Sequence, residues 1–123
     1  MRLTPNFTLA EFQSRDGAVM PENVRQNIVR LANALQVIRD EVKQPITITS
    51  GYRSPEHNRA VRGAANSTHL TGLGADFRVA NMTPVQVVEV IERLIASGRI
   101  PQGGLKAYST WCHYDIRGIR ARW

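Results

Sequence analysis

Apolar residues recur through the first half of the chain at a helical spacing. Val24, Ile28, Leu31, Leu35, Ile38 and Val42 follow one another at intervals of 4, 3, 4, 3 and 4, which draws one stripe down the side of a long helix. Arg25, Arg30, Arg39, Asp40 and Lys43 fall on its other sides. Pro45 blocks continuation, because proline lacks the amide that the helix ladder needs. The period then drops to two: Ile46-Thr47-Ile48-Thr49 alternates apolar and polar, as a half-buried strand does. Ser54-Pro55 reads as the cap and first turn of a short helix, interrupted by Gly63 and the polar run Ala64 to Thr68. Ala75 to Val79 predicts a second strand. Thr83-Pro84-Val85-Gln86 opens another helix, with a Thr cap, Pro in the first turn and Gln three residues after the cap. Val85, Val88, Ile91, Leu94 and Ile95 are its expected buried face, and Gly98 ends it. Gly103-Gly104 is a turn, and Leu105 to Tyr108 with Trp111 to Ile116 reads as a closing hairpin. The first twenty residues are expected to form an irregular arm with one helical turn near Leu9 to Phe12. The sum is an α+β fold with a small, mainly antiparallel sheet, in one domain over residues 1–123.

Composition narrows the class. Hydrophobic residues make up 42% of the 123 positions and charged residues 21%, enough apolar material for a packed core. No apolar run is long enough to span a membrane, so no membrane insertion is expected. The single cysteine, Cys112, excludes an intrachain disulfide and a multi-cysteine metal site. The opening MRLTPNFTLAEF has no apolar core of the kind a conventional secretory signal carries, so synthesis in the cytoplasm is expected. A net charge of +6 favours an anionic partner. That partner is not expected to be nucleic acid, since Arg59, Arg62, Arg78, Arg93 and Arg99 are scattered and no nucleic-acid reader motif accompanies them.

Candidate chemistry gathers on two of the three histidines. His69 stands in Ser67-Thr68-His69-Leu70-Thr71-Gly72-Leu73-Gly74-Ala75-Asp76, where small residues let the backbone pass close to something. Asp76 falls in an otherwise apolar strand. A carboxylate there needs a cation or a nearby arginine to offset its desolvation. His113 and Asp115 are two apart on the last predicted strand and so face the same side. Two imidazoles and a carboxylate suit Zn²⁺; the alternative is a structural His and Asp hydrogen-bonded in turns. There is no glycine-rich phosphate loop and no G-x-S-x-G. Cys112 adjoins His113, but neighbours on a strand point to opposite faces, which argues for a buried thiol over a Cys–His pair.

Three blocks in order carry a resemblance: Ser50-Gly51-Tyr52-Arg53-Ser54-Pro55-Glu56-His57-Asn58, then Ser67-x-His69-x-x-Gly72-x-x-Ala75-Asp76, then His113-x-Asp115-x-Arg117-Gly118. With the opening Phe7-Thr8-Leu9-x-Glu11-Phe12, they resemble the zinc D-Ala-D-Ala carboxypeptidase family of M15-type metallopeptidases, some of which are phage lysins. The resemblance covers nearly the whole chain. It implies the fold shared with the hedgehog signalling domain. It also implies Zn²⁺ held by His69, Asp76 and His113, Arg53 at the substrate and its developing oxyanion, Ser67 shaping the loop of His69 and binding substrate, and Tyr108 beside the metal. Dipeptidase relatives carry a general-base Glu three residues before the last ligand. Here that position is Thr110, which leaves Asp115 as base or as partner of His113, with Glu56 and His57 behind it. The implied activity is hydrolysis of peptidoglycan stem peptides at or near a D-residue, by a monomer that reaches the wall through a holin-type or other release route. The alternative is an inactive wall-binding or structural module of the same fold.

Overall fold

A computed structural model describes residues 1–123. Three helices pack with two antiparallel sheets. A two-stranded ribbon, β1 (Arg2–Thr4) and β2 (Phe7–Thr8), opens the chain and runs into a 3₁₀ turn at Leu9–Phe12. Helix α1 (Glu22–Val42) follows, then β3 (Ile46–Ser50), the short α2 (Pro55–Ala60), a 3₁₀ turn at Thr68–Leu70, β4 (Gly74–Val79), α3 (Pro84–Ala96), β5 (Leu105–Ala107) and β6 (Cys112–Asp115). The four-stranded sheet has the order β3-β4-β6-β5, antiparallel throughout. No helix is long and apolar enough to cross a membrane.

The helices begin and end where local chemistry predicts. Ser54 caps α2 by accepting from the His57 amide. Thr83 and Gln86 form the reciprocal capping box of α3. The α1 stripe is buried from Val24 to Ile38, while Val42 is only partly covered. The α3 face differs from expectation at its start. Val85 is 59% exposed, and Val87 is buried with Ile91 and Leu94. Six residues back from Ile91 is about 120° round the helix axis, whereas four residues back is about 40°, so Val87 shares the buried stripe and Val85 does not.

The sheet divides its labour by alternation. Ala75, Phe77 and Val79 of β4 and Cys112 and Tyr114 of β6 are buried in one core with α1 and α3. The other face carries Asp76, His113 and Asp115. Registry does the rest: Asp76 lies opposite Ser50 on one side and His113 on the other, and Gly74 lies opposite Asp115.

The arm is more ordered than its sequence suggests. Phe7 and Phe12 are fully buried, with ring centroids 6.1 Å apart. Gln36, buried on α1, ties the ribbon down: its Oε1 accepts from Thr4 Oγ1 (2.8 Å) and the Asn6 amide (2.9 Å), and its Nε2 donates to Asn6 Oδ1 (2.8 Å). A polar residue in the middle of an apolar helix face is the only sequence mark of this anchor. Downstream, Asp16 accepts from the hydroxyls of Ser14 and Ser54 at 2.6 Å each, and those bonds hold its carboxyl down at about 2.

Gln36→Leu leaves the Thr4 hydroxyl and the Asn6 amide without their acceptor. A buried donor stripped of its partner costs about 1–3 kcal/mol. We therefore expect a lower melting temperature and faster hydrogen exchange at the amides of Asn6 and Leu9, with β3 to β6 protected as before.

Candidate active site

The three candidate ligands arrive from three different elements. His69 sits in the 3₁₀ turn that Ser67 caps, its amide donating to Ser67 Oγ (3.2 Å). Asp76 is in mid-β4 and His113 is its neighbour on β6. One donor atom from each lies within 4.8 Å of the others. Asp76 Oδ1 is 3.3 Å from His69 Nε2 and 2.9 Å from His113 Nδ1.

The opposite nitrogen of each ring is committed elsewhere. His69 Nδ1–H donates to the Gly51 carbonyl (2.7 Å), which leaves the Nε2 lone pair facing Asp76. His113 Nε2–H donates to Asp115 Oδ2 (2.7 Å), which directs Nδ1 inward. Backing each inward nitrogen with a fixed acceptor is how metal-binding histidines are oriented. Space for this packing comes from Gly74. A Cβ there would collide with Thr68 Oγ1 and crowd His113 Cε1 and Asp115 Cβ.

Asp115 is fully buried. Beyond His113 it accepts from the Gly104 amide (2.8 Å), the Arg117 amide (3.2 Å), and Arg117 Nε (2.9 Å) and Nη2 (2.8 Å). Burial pushes its carboxyl up, but the hydrogen bonds of His113, Arg117 and Gly104 outweigh that and hold it well below the usual carboxylate range. Burial likewise raises Asp76, and the hydrogen bonds and charges of His113 and His69 reverse the sign, so it stays ionised. His113 experiences the converse. Burial lowers it, and Asp115 and Asp76 together raise it above the ordinary imidazole value. Two carboxylates thus claim both nitrogens of one ring, which requires either a proton on each nitrogen or a cation in place of the inner one. Two imidazoles and a carboxylate are a borderline-soft N/O set of the kind that fits Zn²⁺.

The ligands open into a cleft of about 340 Å³ that Arg53, Ser67, Tyr108, Arg117 and Trp123 help to line. Arg53 Nη2 lies 3.6 Å from Asp76 Oδ2. The arginine is held by Ser50 Oγ (3.3 Å from Nε) and Asn58 Oδ1 (3.2 Å from Nη1), and Asn58 is itself buried in α2 and bonded to the Ala64 carbonyl. The Tyr108 ring stacks on Trp111, with centroids 4.6 Å apart and planes 9° apart. Asp76 is the only carboxylate lining the cleft. Thr110 is exposed in the β5–β6 turn, and Glu56 is exposed and faces Arg59 (3.9 Å). Neither of these, nor His57, lines the cleft. Cys112 points to the core side, its Sγ 3.4 Å from the Pro84 carbonyl, and burial pushes the thiol up to about 12.

The sequence profile of the peptidase M15 family matches residues 3–115. The chain belongs to the peptidase M15 family. A relative is the zinc D-Ala-D-Ala carboxypeptidase of Streptomyces albus G, 36% identical over an alignment of 78 residues, with 58% of this chain covered. The match spans 31% of that protein, so the chain corresponds to about a third of its length. Among the residues around the cleft, Trp123 lines it, Asn58 holds Arg53 and the Gly51 carbonyl holds His69, and none of the three is marked by the sequence alone. Asn58 and Gly51 lie inside the block around Arg53, so proximity to an arginine of interest was the available signal. Trp123 had none, because only folding brings it beside Tyr108.

The proton on His113 gives the metal-free protein a definite pH response. Its folded pKa is raised, so the pairing stabilises the chain fully below the ordinary value of about 6.5 and is lost as pH rises through the raised one. A divalent ion competes for the same lone pair, so its affinity should fall as pH falls. Chemical denaturation of chelated protein across pH 5–9, with and without metal, should show the two opposite slopes. His69→Ala or His113→Ala should abolish stoichiometric metal uptake.

Proposed function

We propose that this M15 peptidase is a zinc enzyme that, as a monomer, hydrolyses peptidoglycan stem peptides at or near a D-amino acid, as a carboxypeptidase or an endopeptidase. The observation that carries the reading is the convergence of His69 Nε2, Asp76 Oδ1 and His113 Nδ1 in an open cleft, with each imidazole set by a hydrogen bond from its other nitrogen. The Streptomyces relative, a zinc D-Ala-D-Ala carboxypeptidase, supports the metal and the substrate class. The +6 charge adds a sequence-blind, salt-sensitive attraction to anionic wall polymers. A lysin-type role with holin-type release is one form this activity takes.

Bound at those three atoms, Zn²⁺ supplies a Lewis acid for the scissile carbonyl and makes water acidic enough to attack near neutral pH. The protein's share is charge and orientation. Arg53, fixed by Ser50 and Asn58, presents a guanidinium beside Asp76 where negative charge builds on the carbonyl oxygen. Tyr108 offers a phenol O–H to the same oxygen. Ser67, whose Oγ accepts from the His69 amide, holds the ligand loop and keeps its own hydroxyl proton for the substrate backbone. Asp115 acts as a positioning residue: it is sealed from the cleft and fixes the tautomer of His113, which supports this role over that of the base.

Digestion of purified sacculi, with the released fragments weighed by mass spectrometry, tests the reading and separates carboxypeptidase from endopeptidase cuts. No release by zinc-loaded protein would overturn it in favour of an inactive binding module. Arg53→Ala should retain zinc and lose about 10²–10³-fold in kcat, the size of one lost oxyanion donor. Asp115→Asn should act differently. An amide N–H aimed at His113 Nε2 would force the ring proton onto Nδ1, so zinc affinity, read by chelator competition, should fall about 10–100-fold. Unchanged affinity with a lost rate would restore Asp115 as the base.

A further inference from the structure

The last six residues, Gly118–Trp123, form a strap along the site that the proposed chemistry does not yet use. Ala121 bridges Gly104 in parallel and exchanges backbone bonds with the outer edge of β5: Leu105 N donates to Ala121 O (3.1 Å) and Ala121 N to Gly103 O (3.3 Å). Arg122 then locks the strap to α3 and to the turn before β5. Its Nε and Nη2 donate to the two carboxylate oxygens of Glu92 (2.9 and 2.8 Å), and its Nη1 donates to the Gly103 carbonyl (2.6 Å). Lys106 Nζ donates to the main-chain oxygen of Trp123 (2.7 Å). So anchored, the indole lines the cleft, with its ring centroid 5.4 Å from that of His113, and its Nε1–H donates to Tyr108 Oη (3.1 Å).

That bond has a direction. An indole N–H can only donate, so the phenol oxygen is the acceptor, and the phenol's own proton is the one left for another group. The Tyr108 ring is fixed independently by its stack on Trp111 and by the Lys106 ammonium 5.4 Å from its centroid. Ring plane and hydroxyl are thereby constrained by separate contacts. We propose that Trp123 is a positioning residue that orients the Tyr108 phenol as a proton-donating hydrogen bond to the substrate, with the strap Gly118–Trp123 as its support. The inference rests on the peptidase reading above for its kinetic consequence, but not for the hydrogen bond itself.

The test uses the full zinc-loaded chain. Trp123→Phe keeps a ring in place and removes the N–H. The variant should hold its zinc and its melting temperature, and lose about tenfold in kcat with KM within about twofold. Tyr108→Phe should lose more, and the double variant should be no slower than Tyr108→Phe alone, since Trp123 acts through the phenol. Independently of turnover, the indole N–H resonance absent from Trp123→Phe should shift and exchange faster in Tyr108→Phe. A multiplicative double variant, a rise in KM alone, or an unchanged kcat in Trp123→Phe would overturn the proposal. An indole signal indifferent to Tyr108→Phe would overturn the positioning even if the enzyme is active. A wild-type chain that turns over no wall peptide would instead overturn the proposed function, and with it the kinetic consequence alone.

Discussion

A carboxylate with no exposure to water, Asp115, is the constraint around which the site is assembled. Removing a charge from water is expensive unless hydrogen bonds replace its hydration. Here the amides of Gly104 and Arg117, the Arg117 guanidinium and the His113 imidazole replace it. Each of those partners is thereby held where it is. The β5 edge is drawn against β6, the chain beyond β6 is fastened by Arg117, and His113 is fixed in one tautomer with Nδ1 turned toward Asp76. Charge balance makes the arrangement self-consistent. Arg117 and a protonated or metal-bound His113 face Asp115, and Arg53, His69 and His113 face Asp76.

The sheet lets this polar cluster coexist with a dry core. Because side chains alternate along a strand, β4 and β6 put Ala75, Phe77, Cys112 and Tyr114 into the core while turning Asp76, His113 and Asp115 to the other face. Antiparallel registry then brings Asp76 and His113 opposite each other, although 37 positions separate them in the chain. A one-residue slip would bury the acids in the core and expose Phe77, so the same apolar burial that stabilises the sheet also holds the geometry of the His–Asp–His cluster. Strands β4 and β6 and a capped turn carry the His–Asp–His cluster, and the connecting segments carry other groups that line the cleft: Arg53 ahead of α2, Ser67 at the capped turn, Tyr108 after β5.

Much of this was legible in the chain. The helical stripe of α1, the capping box of α3, the period-two strands and the closing hairpin all follow from local pattern, because each element buries one face. His113 and Asp115 could be placed on one side of a strand by spacing alone, and Cys112 on the other. Local pattern failed where the stabilising partner is distant. The ribbon Arg2–Thr8 exists because Gln36 reaches back to Thr4 and Asn6. The exposure of Val85 has a local cause, since the helix angle gives its place on the buried face to Val87.

The sequence by itself determined the three helices, the four strands of the larger sheet, their order and the kinds of side chain available for chemistry, since propensity, capping and periodicity act over a few residues. It left Asp115 divided between base and partner, because two positions of separation on a strand say that it shares a face with His113 and not whether water reaches it. Only the tertiary structure decided that burial. Only the tertiary structure, too, brought Arg53, Asp76 and His113 to one cleft and set Trp123 against Tyr108, for these contacts are made by sheet registry and by a strap whose anchors, Glu92 and Gly103, lie 30 and 19 positions from Arg122 in the chain.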